Sequence, residues 1–349
     1  MPGPLVAIVS FRLGAADGVS VEAAKWAGAF EQLGWRVRTV AGEGPVDRVV
    51  PGLAMSAVTA PGADEVETAL EGAELVVVEN LCSLPLNPAA SEVVGTVLRG
   101  RPAVLHHHDL PWQRPRYAHH PPPPDDPAWL HVTINDLSRA ELAGRGISAH
   151  VVRNTFDTEA APGDRRRTRA LLPVGGDTTV VLQPTRAIPR KNIPGGLALA
   201  EALGATYWLL GPAEDGYGPD LERLLAATAA PVVRGAAPGG RRVSMADAYA
   251  ACDLVVLGST WEGFGNPAVE SAVHRRPLAI GPYPVAAELA AFGFRWFALD
   301  DVAAVAAQLR RPDAALLEHN HEVARRHFSS RDLPARIERL LASAGWTVS

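Results

Sequence analysis

Two glutamates flank a glycine-rich turn in the C-terminal half of the chain. The segment Gly258–Ser271 reads GSTWEGFGNPAVES and follows the apolar run Asp253–Leu257, so the turn joins a predicted strand to a predicted helix. Gly263 and Gly265 permit a tight turn and a close approach of a ligand to the backbone. The amides that begin a helix, together with its dipole, suit a phosphate or sugar oxygens.

The two carboxylates of this segment are placed for different tasks. Glu262 precedes the turn and Glu270 lies one turn into the helix, so one can face a sugar while the other reaches a more distant pair of hydroxyls. Asn266 is predicted to cap the helix and Pro267 to occupy its first position. The alternative is an ordinary glycine-rich turn with two solvated glutamates.

A second loop concentrates positive charge. Gln183–Asn192 reads QPTRAIPRKN and follows the predicted strand Thr179–Leu182. Arg186 can grip a phosphate with two donors, and Lys191 supplies a compact point charge. Cations aimed at charge that develops in a transition state often make the largest contribution to catalysis. The alternative is a basic surface turn, because Arg190 lies in the same loop.

Histidines are concentrated in the N-terminal half. His106–Arg114 reads HHHDLPWQR and follows an apolar run. Consecutive residues of a strand point to opposite faces, so the three histidines cannot all ligate one ion, and no metal site is predicted. Trp112 and Arg114 could form an aromatic platform and a cation for a sugar or a carboxylate. The alternative is a packing residue beside a surface charge.

The elements that must position these residues alternate between short apolar runs and longer amphipathic runs. This alternation favours βαβ units and parallel sheets. The predicted strands are Leu5–Ser10, Arg36–Val40, Glu74–Glu79, Pro102–His106, Leu130–Ile134, His150–Val152, Thr179–Leu182, Thr206–Leu210, Val232–Val233, Leu254–Leu257 and Pro277–Ile280. The predicted helices are Val21–Leu33, Ala89–Leu98, Asp136–Gly144, Ile193–Leu203, Asp220–Thr228, Met245–Ala251, Asn266–Val273, Val302–Leu309, Ala314–His327 and Leu333–Ala344.

A break in this alternation divides the chain. Residues 159–177 are rich in charge, proline and glycine, and they are predicted to be a linker. It separates an N-terminal Rossmann-like domain, residues 1–158, from a C-terminal one, residues 178–328, and residues 329–349 form a last helix that packs back on the first domain. The predicted fold class is α/β, with two doubly wound domains facing a central cleft. Ligands of such sheets bind at the carboxyl ends of the strands.

Composition excludes several classes of protein. The chain has 349 residues, 47% of them hydrophobic and 20% charged, which fits two ordered domains. Its net charge of −5 argues against a generally basic nucleic-acid binder. Cys82 and Cys252 lack disulfide or metal spacing, and the N-terminus is expected to be a strand rather than a signal peptide. No apolar run reaches about 18 residues, so we expect no membrane span and a cytoplasmic location. The oligomeric state stays open.

The sequence EGFGNPAVE resembles the signature of family 4 retaining glycosyltransferases, which have the GT-B fold. The resemblance implies that Glu270 binds the ribose hydroxyls of a sugar nucleotide. QPTRAIPRKN resembles the Arg-x4-Lys pattern of the family, with Thr185 where glycine is common, so Arg186 and Lys191 would neutralise the leaving diphosphate. The residues that the resemblance places on the donor sugar are Glu262, Gly263, Phe264, Gly265 and Asn266.

Weaker matches extend the resemblance. Arg234 and Gly235 match the loop that contacts the nucleobase, Gly211–Pro212 matches a loop near the donor phosphates, and Gly14–Gly18, with Gly18 at its end, matches a loop that closes over phosphate and acceptor. His108–Asp109 matches a His-Asp pair near the reacting carbons. The resemblance therefore makes His108 catalytic beside Arg186, Lys191 and Glu262, and it places the acceptor at Asp109, Trp112 and Arg114.

The pattern Asn80-x2-Ser83-x-Pro85-x-Asn87, combined with HHHD, resembles a bacterial subset of family 4 that includes mannosylglucosylglycerate synthase. The resemblance spans most of the chain. It implies transfer of a hexose, with retention, from a UDP- or GDP-sugar to a hydroxyl of a small-molecule or glycoside acceptor, without a metal or other cofactor. A sugar phosphorylase, a non-catalytic sugar-nucleotide-binding protein and a sugar epimerase remain alternatives. The motifs do not specify the nucleobase and sugar of the donor or the identity of the acceptor. They also assign no role to the His106–His108 run beyond His108.

Overall fold

The computed structural model describes residues 3–15, 17–236 and 240–346. The chain divides into two compact units. Unit 1 runs to Thr155 and also contains the segment that begins at Ser330, and unit 2 is Phe156–Ser329. The two units have separate sheets and separate cores.

Unit 1 is built on a seven-stranded parallel sheet in the order β3-β2-β1-β4-β5-β6-β7. The strands are β1 Leu5–Arg12, β2 Arg36–Glu43, β3 Arg48–Val49, β4 Leu75–Glu79, β5 Ala103–His107, β6 Trp129–Thr133 and β7 Ala149–Val151. The helices are α1 Gly18–Gln32, α2 Ala63–Ala69, α3 Pro88–Leu98 and α4 Asp136–Ala143.

Both faces of this sheet are covered, as its sequence requires. Along β1, Ala7 and Val9 pack into one apolar cluster while Val6 and Ile8 pack into another, because successive side chains of a strand point to opposite faces. A strand buried on both faces reads as a continuous apolar run, which explains why the β1 sequence does not alternate.

Unit 2 repeats the plan with six parallel strands in the order β10-β9-β8-β11-β12-β13. The strands are β8 Val180–Gln183, β9 Thr206–Leu209, β10 Val232–Arg234, β11 Leu254–Leu257, β12 Leu278–Ile280 and β13 Phe297–Ala298. The helices are α5 Arg165–Arg169, α6 Ile193–Ala202, α7 Gly218–Ala227, α8 Met245–Ala251, α9 Asn266–Val273, α10 Pro284–Ala290, α11 Val302–Arg310 and α12 Ala314–Phe328.

Counted from the first strand of each unit, both sheets contain the order 3-2-1-4-5-6 of doubly wound α/β folds. The predicted α/β class with two doubly wound domains is therefore confirmed. In such a sheet the topology reverses beside the first strand, so ligands bind at the carboxyl ends of β1 and β4 in unit 1 and of β8 and β11 in unit 2.

The last helix, α13 Leu333–Ser343, belongs to unit 1. Leu333, Ile337 and Leu340 lie in the same buried cluster as Trp26 and Phe30 of α1. The end of the described chain thus returns to the core of the first unit.

The segment 159–177 is not a separate linker, because the structure makes it part of unit 2. Arg165 and Arg169 of α5 place their guanidinium groups 2.5 and 2.6 Å from the carboxylate of Asp253, which precedes β11. Arg165 also donates to the carbonyls of Ala250 and Cys252 at the end of α8. The arginines of this segment therefore bind groups of unit 2, which explains why a charged stretch is part of that unit.

Several elements escaped the sequence pattern because they are short. They are α2, α10, β3 and β13, and the two strands have two residues each. Cys82 and Cys252 are buried free thiols, as expected. Within the described ranges, every helix falls short of the length and apolarity that crossing a membrane requires.

Candidate active site

Two loops meet at the carboxyl ends of β8 and β11, which are neighbours in the sheet. The loop after β8 makes a tight turn over Pro189–Lys191, and Asn192 then caps α6 with a positive φ of 49°. The amide of Thr260, in the loop after β11, donates to the carbonyl of Arg190 at 2.9 Å. The two sequence motifs are therefore adjacent in space.

Glu262 is the acceptor at the centre of this meeting point. Lys191 forms a salt bridge with its Oε1, and Nη1 of Arg190 lies 2.9 Å from its Oε2. The hydroxyl of Ser259 donates to Oε1 at 2.5 Å. Burial raises the pKa of Glu262, but the charges of Lys191 and Arg190 outweigh burial and lower it to about 2. The carboxylate is thus an anion held by two cations.

Opposing effects act on the pKa of Lys191. Its side chain is buried, and burial lowers its pKa most. Glu262 raises the pKa while the positive charges of Arg190 and Arg186 lower it, and the result is about 8. Lys191 is therefore a cation at neutral pH that a further anion would stabilise.

Arg186 completes the cationic group at the same edge. Its Nη1 lies 2.5 Å from Oε2 of Glu214, and both side chains are partly exposed. Glu214 follows Gly211 in the loop after β9. A Cβ on Gly211 would lie 2.7 Å from the backbone nitrogen and Cα of Arg186, so only glycine allows this loop to pack there.

The turn before α9 depends on Gly265 rather than on Asn266. Gly265 occupies the N-cap position with a φ of 93°, and a Cβ there would lie 2.0 Å from the hydroxyl of Tyr283. Asn266 is the first helical residue, so the prediction that its side chain caps the helix is wrong. The cap needs a left-handed backbone, which glycine adopts without a steric penalty. Pro267 is the second helical residue, one place after the predicted first position.

Phe264 has a buried aromatic ring. Its ring is buried at 6.2 Å from that of Phe156 and 6.0 Å from that of Phe328. Its carbonyl accepts a hydrogen bond from the hydroxyl of Tyr283 at 3.3 Å. The apolar ring is therefore part of the packing. The donor-sugar role that the resemblance gives to the backbone amides of this turn, including that of Phe264, stays a prediction.

Glu270 has a buried partner that the sequence did not reveal. The hydroxyl of Tyr249, on α8, donates to Oε2 of Glu270 at 2.7 Å. Tyr249 is fully buried, and its ring stacks on His274 with 4.8 Å between centroids. This contact fixes where the Glu270 carboxylate lies on α9.

The remaining donor residues of unit 2 have local partners. Arg234 is exposed and lies 2.8 Å from Glu222, and the carbonyl of Gly235 accepts from the indole nitrogen of Trp208 at 2.9 Å. Residues 237–239, which continue this loop, lie outside the described residues.

In unit 1 the three consecutive histidines at the end of β5 point to two different sides, as the alternation of side chains along a strand predicts. Nδ1 of His106 and Nε2 of His108 lie 2.9 and 2.7 Å from the same oxygen, Oε2 of Glu79 on β4. His107 points the other way, to Ser83 and His131, at 2.5 and 2.8 Å. The three side chains therefore belong to two clusters.

Glu79, His106 and His108 each offer one possible metal-ligand atom, and these three atoms lie within 4.8 Å of one another. This spacing is close enough for a shared metal ion to be considered. Its shortest separations, 2.7 and 2.9 Å, are hydrogen-bond distances. Two ligands on one tetrahedral zinc, at bond lengths of ~2.1 Å, are about 3.4 Å apart. Hydrogen bonding to a shared carboxylate accounts for the arrangement.

His107 lies in a longer polar chain. Beyond it, Nε2 of His131 lies 3.1 Å from Oδ1 of Asp125, so Ser83, His107, His131 and Asp125 are joined in sequence. Burial lowers the pKa of His107 and His131, so both rings are neutral at neutral pH.

The loop after β5 is held by Asn80, whose φ is 60°. Its Oδ1 accepts from the amides of His108 and Asp109 at 3.0 and 3.2 Å. Oδ1 of Asp109 in turn lies 2.6 Å from Nη2 of Arg114. The predicted acceptor residues Asp109 and Arg114 are thus brought together.

Trp112 does not present an open aromatic platform. Its indole nitrogen donates to Glu141 at 2.8 Å, and the guanidinium of Arg145 lies 3.6 Å from its ring centroid. It also packs against the buried residues Leu110 and Leu142. The ring face predicted for an acceptor is covered by a cation of the same unit.

The loop Gly14–Gly18 ends in a capped helix. Asp17 accepts from the amide and hydroxyl of Ser20 at the start of α1, and it forms an ion pair with Arg12 at 3.1 Å. Gly18 is the first residue of α1, so this helix start already carries a carboxylate. Ala16 lies outside the described residues.

Known proteins are similar to this chain over most of its length. The chain is 24% identical to mannosylglucosylglycerate synthase from Thermotoga maritima, over 93% of this chain and 96% of that protein. It is also 24% identical to mannosylglucosylglycerate synthase from Petrotoga mobilis, over 83% and 85%. No family model matches the chain.

Solved structures match over nearly the full length. Anabaena HepE in complex with UDP-glucose superposes with a TM-score of 0.75 at 19% identity, covering 97% of this chain and 99% of that one. Sucrose-phosphate synthase from Thermosynechococcus elongatus gives 0.72 at 14% identity, covering 97% and 98%. The chain has the GT-B fold. Its predicted resemblance to the mannosylglucosylglycerate synthase subset is confirmed.

Sequence analysis missed four residues that support predicted site residues within one or the other unit. They are Glu79, Arg190, Ser259 and Tyr249, which hold His108, Glu262 or Glu270. Arg190 and Glu79 carried a signal, because a charge inside an apolar strand or beside a cationic motif needs a partner. Tyr249 carried none, since its contact joins two helices.

Proposed function

We propose that this protein is a GT-B glycosyltransferase, which transfers a hexose from a nucleotide-diphosphate sugar to a hydroxyl of a small-molecule or glycoside acceptor, with retention of anomeric configuration. The observation that carries the proposal is the ion-pair group formed by Lys191, Arg190 and Glu262 at the ends of β8 and β11. It lies where doubly wound sheets bind ligands.

The charge of this group suits a diphosphate. Arg186, Arg190 and Lys191 contribute three positive charges, and Glu262 and Glu214 contribute two negative ones, so the group has a net charge of +1. A diphosphate would compete with the carboxylates for the same donors. We infer that Glu262 holds the two cations in place before the donor binds.

The sugar and ribose would lie on the α9 side of this group. The amides that follow Gly263 begin α9, whose N-terminus favours phosphate or sugar oxygens. Glu270 would accept from the ribose hydroxyls, and the Tyr249 hydroxyl, which donates to its Oε2, would orient the carboxylate. The family resemblance gives Glu270 this role, and the structure adds Tyr249 as the residue that orients it.

Transfer would proceed without a protein nucleophile. The bond from the anomeric carbon to the phosphate oxygen breaks while the acceptor oxygen bonds to that carbon on the same face. The acceptor proton passes to the leaving phosphate. Arg186, Arg190 and Lys191 would stabilise the charge that develops on the diphosphate, so we propose that no metal ion takes part.

The relatives narrow the substrates to be tested. HepE binds UDP-glucose, and the name of the Thermotoga maritima relative describes mannose and glycerate components. We propose UDP-glucose and GDP-mannose as the first donors, drawn from the cytoplasmic pool. An acceptor that carries a carboxylate would compete with Asp109 for Arg114.

The decisive experiment is a thermal-shift panel of UDP, GDP, ADP and dTDP with their sugars, with and without EDTA. A ligand at about 100 times its Kd adds ~2.7 kcal/mol to the free energy of unfolding, which moves Tm by several degrees. We expect one base to raise Tm regardless of EDTA, and NMR of the product to show the donor's anomeric configuration. A shift with inorganic phosphate alone would favour a phosphorylase instead.

A further inference from the structure

The carboxylate of Glu79 is shared by two imidazoles deep in unit 1. Glu79 has no exposed surface, and its Oε2 accepts from Nδ1 of His106 and Nε2 of His108. Its Oε1 is buried and has no hydrogen-bond partner among the described residues. A buried charged group that is only partly satisfied costs stability, and an apolar side chain would usually serve a core better. This cost indicates a role beyond packing.

We propose that Glu79 is a positioning residue for the transfer reaction, which holds the His108 ring through its Nε2–H and leaves Nδ1 to face a substrate hydroxyl. The proposal rests on the proposed function, because it assigns His108 to that reaction. Among the described residues, Nδ1 of His108 has no hydrogen-bond partner. The ring is thus anchored at one nitrogen and available at the other.

His106 acts as the second arm of the same clamp. Its ring lies 4.5 Å, centroid to centroid, from both the Trp26 ring and the His108 ring, so it cannot swing away from Glu79. With two donors on one oxygen, the carboxylate has a fixed rotamer. His106 itself is buried and is not offered to a ligand.

The backbone of His108 is held as firmly as its ring. Oδ1 of Asn80 accepts from the His108 amide at 3.0 Å, and Asn80 directly follows Glu79 at the end of β4. One strand end therefore fixes both the main chain and the imidazole of His108. Such double restraint is what a group that must meet a reacting atom within a few tenths of an ångström needs.

The surrounding charges determine the protonation of His108. The ionisable groups that face it are Glu79 from β4, Glu22 from α1 with its partner Lys25, His106 from its own strand, and the adjacent Asp109. Burial lowers the pKa of His108, but the nearby carboxylates outweigh burial and raise it. Because Glu79 binds Nε2–H in either state, only Nδ1 gains or loses the proton.

The test combines histidine NMR with kinetics of Glu79→Gln. In the wild-type protein, the 15N shifts of His108 should show a protonated Nε2 throughout, with Nδ1 titrating. In Glu79→Gln, the pKa of His108 should fall, and kcat for UDP release from UDP-glucose should fall by about 10- to 100-fold. KM for UDP-glucose should stay within about threefold, and the alkaline limb of the kcat profile should move to lower pH.

His107→Gln is the matched control. It removes a buried imidazole of β5 that points away from His106 and makes no contact with Glu79. We expect it to lower Tm while the kcat–pH profile and the His108 titration stay as in the wild type. Glu79→Asp, which keeps the charge on a shorter side chain, should restore part of the kcat lost in Glu79→Gln.

Three results would overturn the proposal. They are an unprotonated Nε2 on His108 in the wild type, an unchanged kcat in a folded Glu79→Gln, and the same pH shift in His107→Gln. If Glu79→Gln does not fold, the wild-type titration still decides, because it needs no variant. If the wild type releases no UDP, the proposed donor fails, while the NMR result still shows whether Glu79 holds His108.

Discussion

The Tyr249 hydroxyl lies 2.7 Å from Oε2 of Glu270 and donates a hydrogen bond to it from a fully buried position. Burial and the Glu270 charge both raise the pKa of Tyr249, so the phenol remains a donor at every working pH. One carboxylate oxygen is therefore occupied by the protein. Under the proposed function, this contact orients the carboxylate that would accept from a ribose.

Tyr249→Phe should weaken donor binding without slowing chemistry. A hydrogen bond to a charged group contributes about 1.5–3 kcal/mol, so UDP affinity should fall by about 10- to 100-fold while kcat changes little. Isothermal titration with UDP and steady-state kinetics measure the two effects. Glu270→Ala should cause at least the same loss of affinity. Full affinity in both variants would remove the ribose assignment.

Lys191→Ala should abolish transfer and leave the fold intact. The change removes one of the two cations on Glu262, and Arg190 still pairs with that carboxylate. We expect kcat to fall by about 10²–10³-fold, as on loss of one donor to transition-state charge. Lys191→Arg is the control, because it keeps the charge. Urea unfolding must show a folded variant, and wild-type turnover in it would contradict the mechanism.

Donor affinity should fall as the pH rises through about 8. The folded-state pKa of Lys191 is lowered to about 8, so Lys191 is charged below that value and neutral above it. UDP affinity should be constant from pH 6 to about 7.5 and then fall by up to about tenfold per pH unit. Titration calorimetry across this range measures it. In Lys191→Arg the decline should disappear, and its persistence would assign it to another group.

Acid should destabilise both units through their buried carboxylates. The pKa of Glu79 and that of Glu262 are lowered to about 2, below the ordinary value of 4.5. A lowered carboxyl pKa contributes stability above the unfolded-state value, and this stability is lost as the pH falls from about 5 to 2. Urea midpoints measured between pH 7 and 3 should fall, and Glu262→Gln should flatten the part that belongs to unit 2.

Gly265→Ala should disrupt the start of α9. Its φ of 93° disfavours any side chain at a cost of about 1–3 kcal/mol, and the new Cβ would overlap the Tyr283 hydroxyl. We expect a lower Tm and a larger loss of donor affinity than in Gly263→Ala. The double change with Tyr283→Phe removes the 2.0 Å overlap with the hydroxyl, while the Cζ contact of 2.9 Å and the backbone strain remain. Unchanged UDP binding in Gly265→Ala would separate this turn from the donor.

Trp112→Ala should lower stability as well as acceptor use. The indole nitrogen donates a hydrogen bond to Glu141, and Arg145 lies over the ring. We expect the loss of the ring to lower the free energy of unfolding by about 2 kcal/mol, less than the loss of a fully buried tryptophan would. Arg145→Ala uncovers the ring face and should cost about 0.5–1 kcal/mol. Chemical denaturation and acceptor KM are the readouts. An equal loss of donor and acceptor affinity would remove the acceptor assignment of Trp112.

The fold was legible in the sequence because its signals are local. Apolar runs such as Leu5–Arg12 are continuous where both faces of a strand are buried, and turns and caps punctuate them. The glycine-rich motif at Gly258–Ser271 likewise specifies a strand, a turn and a helix within 14 residues. Strand order and the position of the switch point then follow from the general rules of α/β folds.

What the sequence alone determined was which residue types stand at the ends of which strands. The tertiary structure decided their partners: Glu262 with Lys191 and Arg190, Glu79 with His108, and an arginine over the ring of Trp112. These contacts join residues that are far apart in the chain, so no periodicity or spacing encodes them. They form because a buried charge or donor must find a counterpart wherever the packed elements bring one within reach.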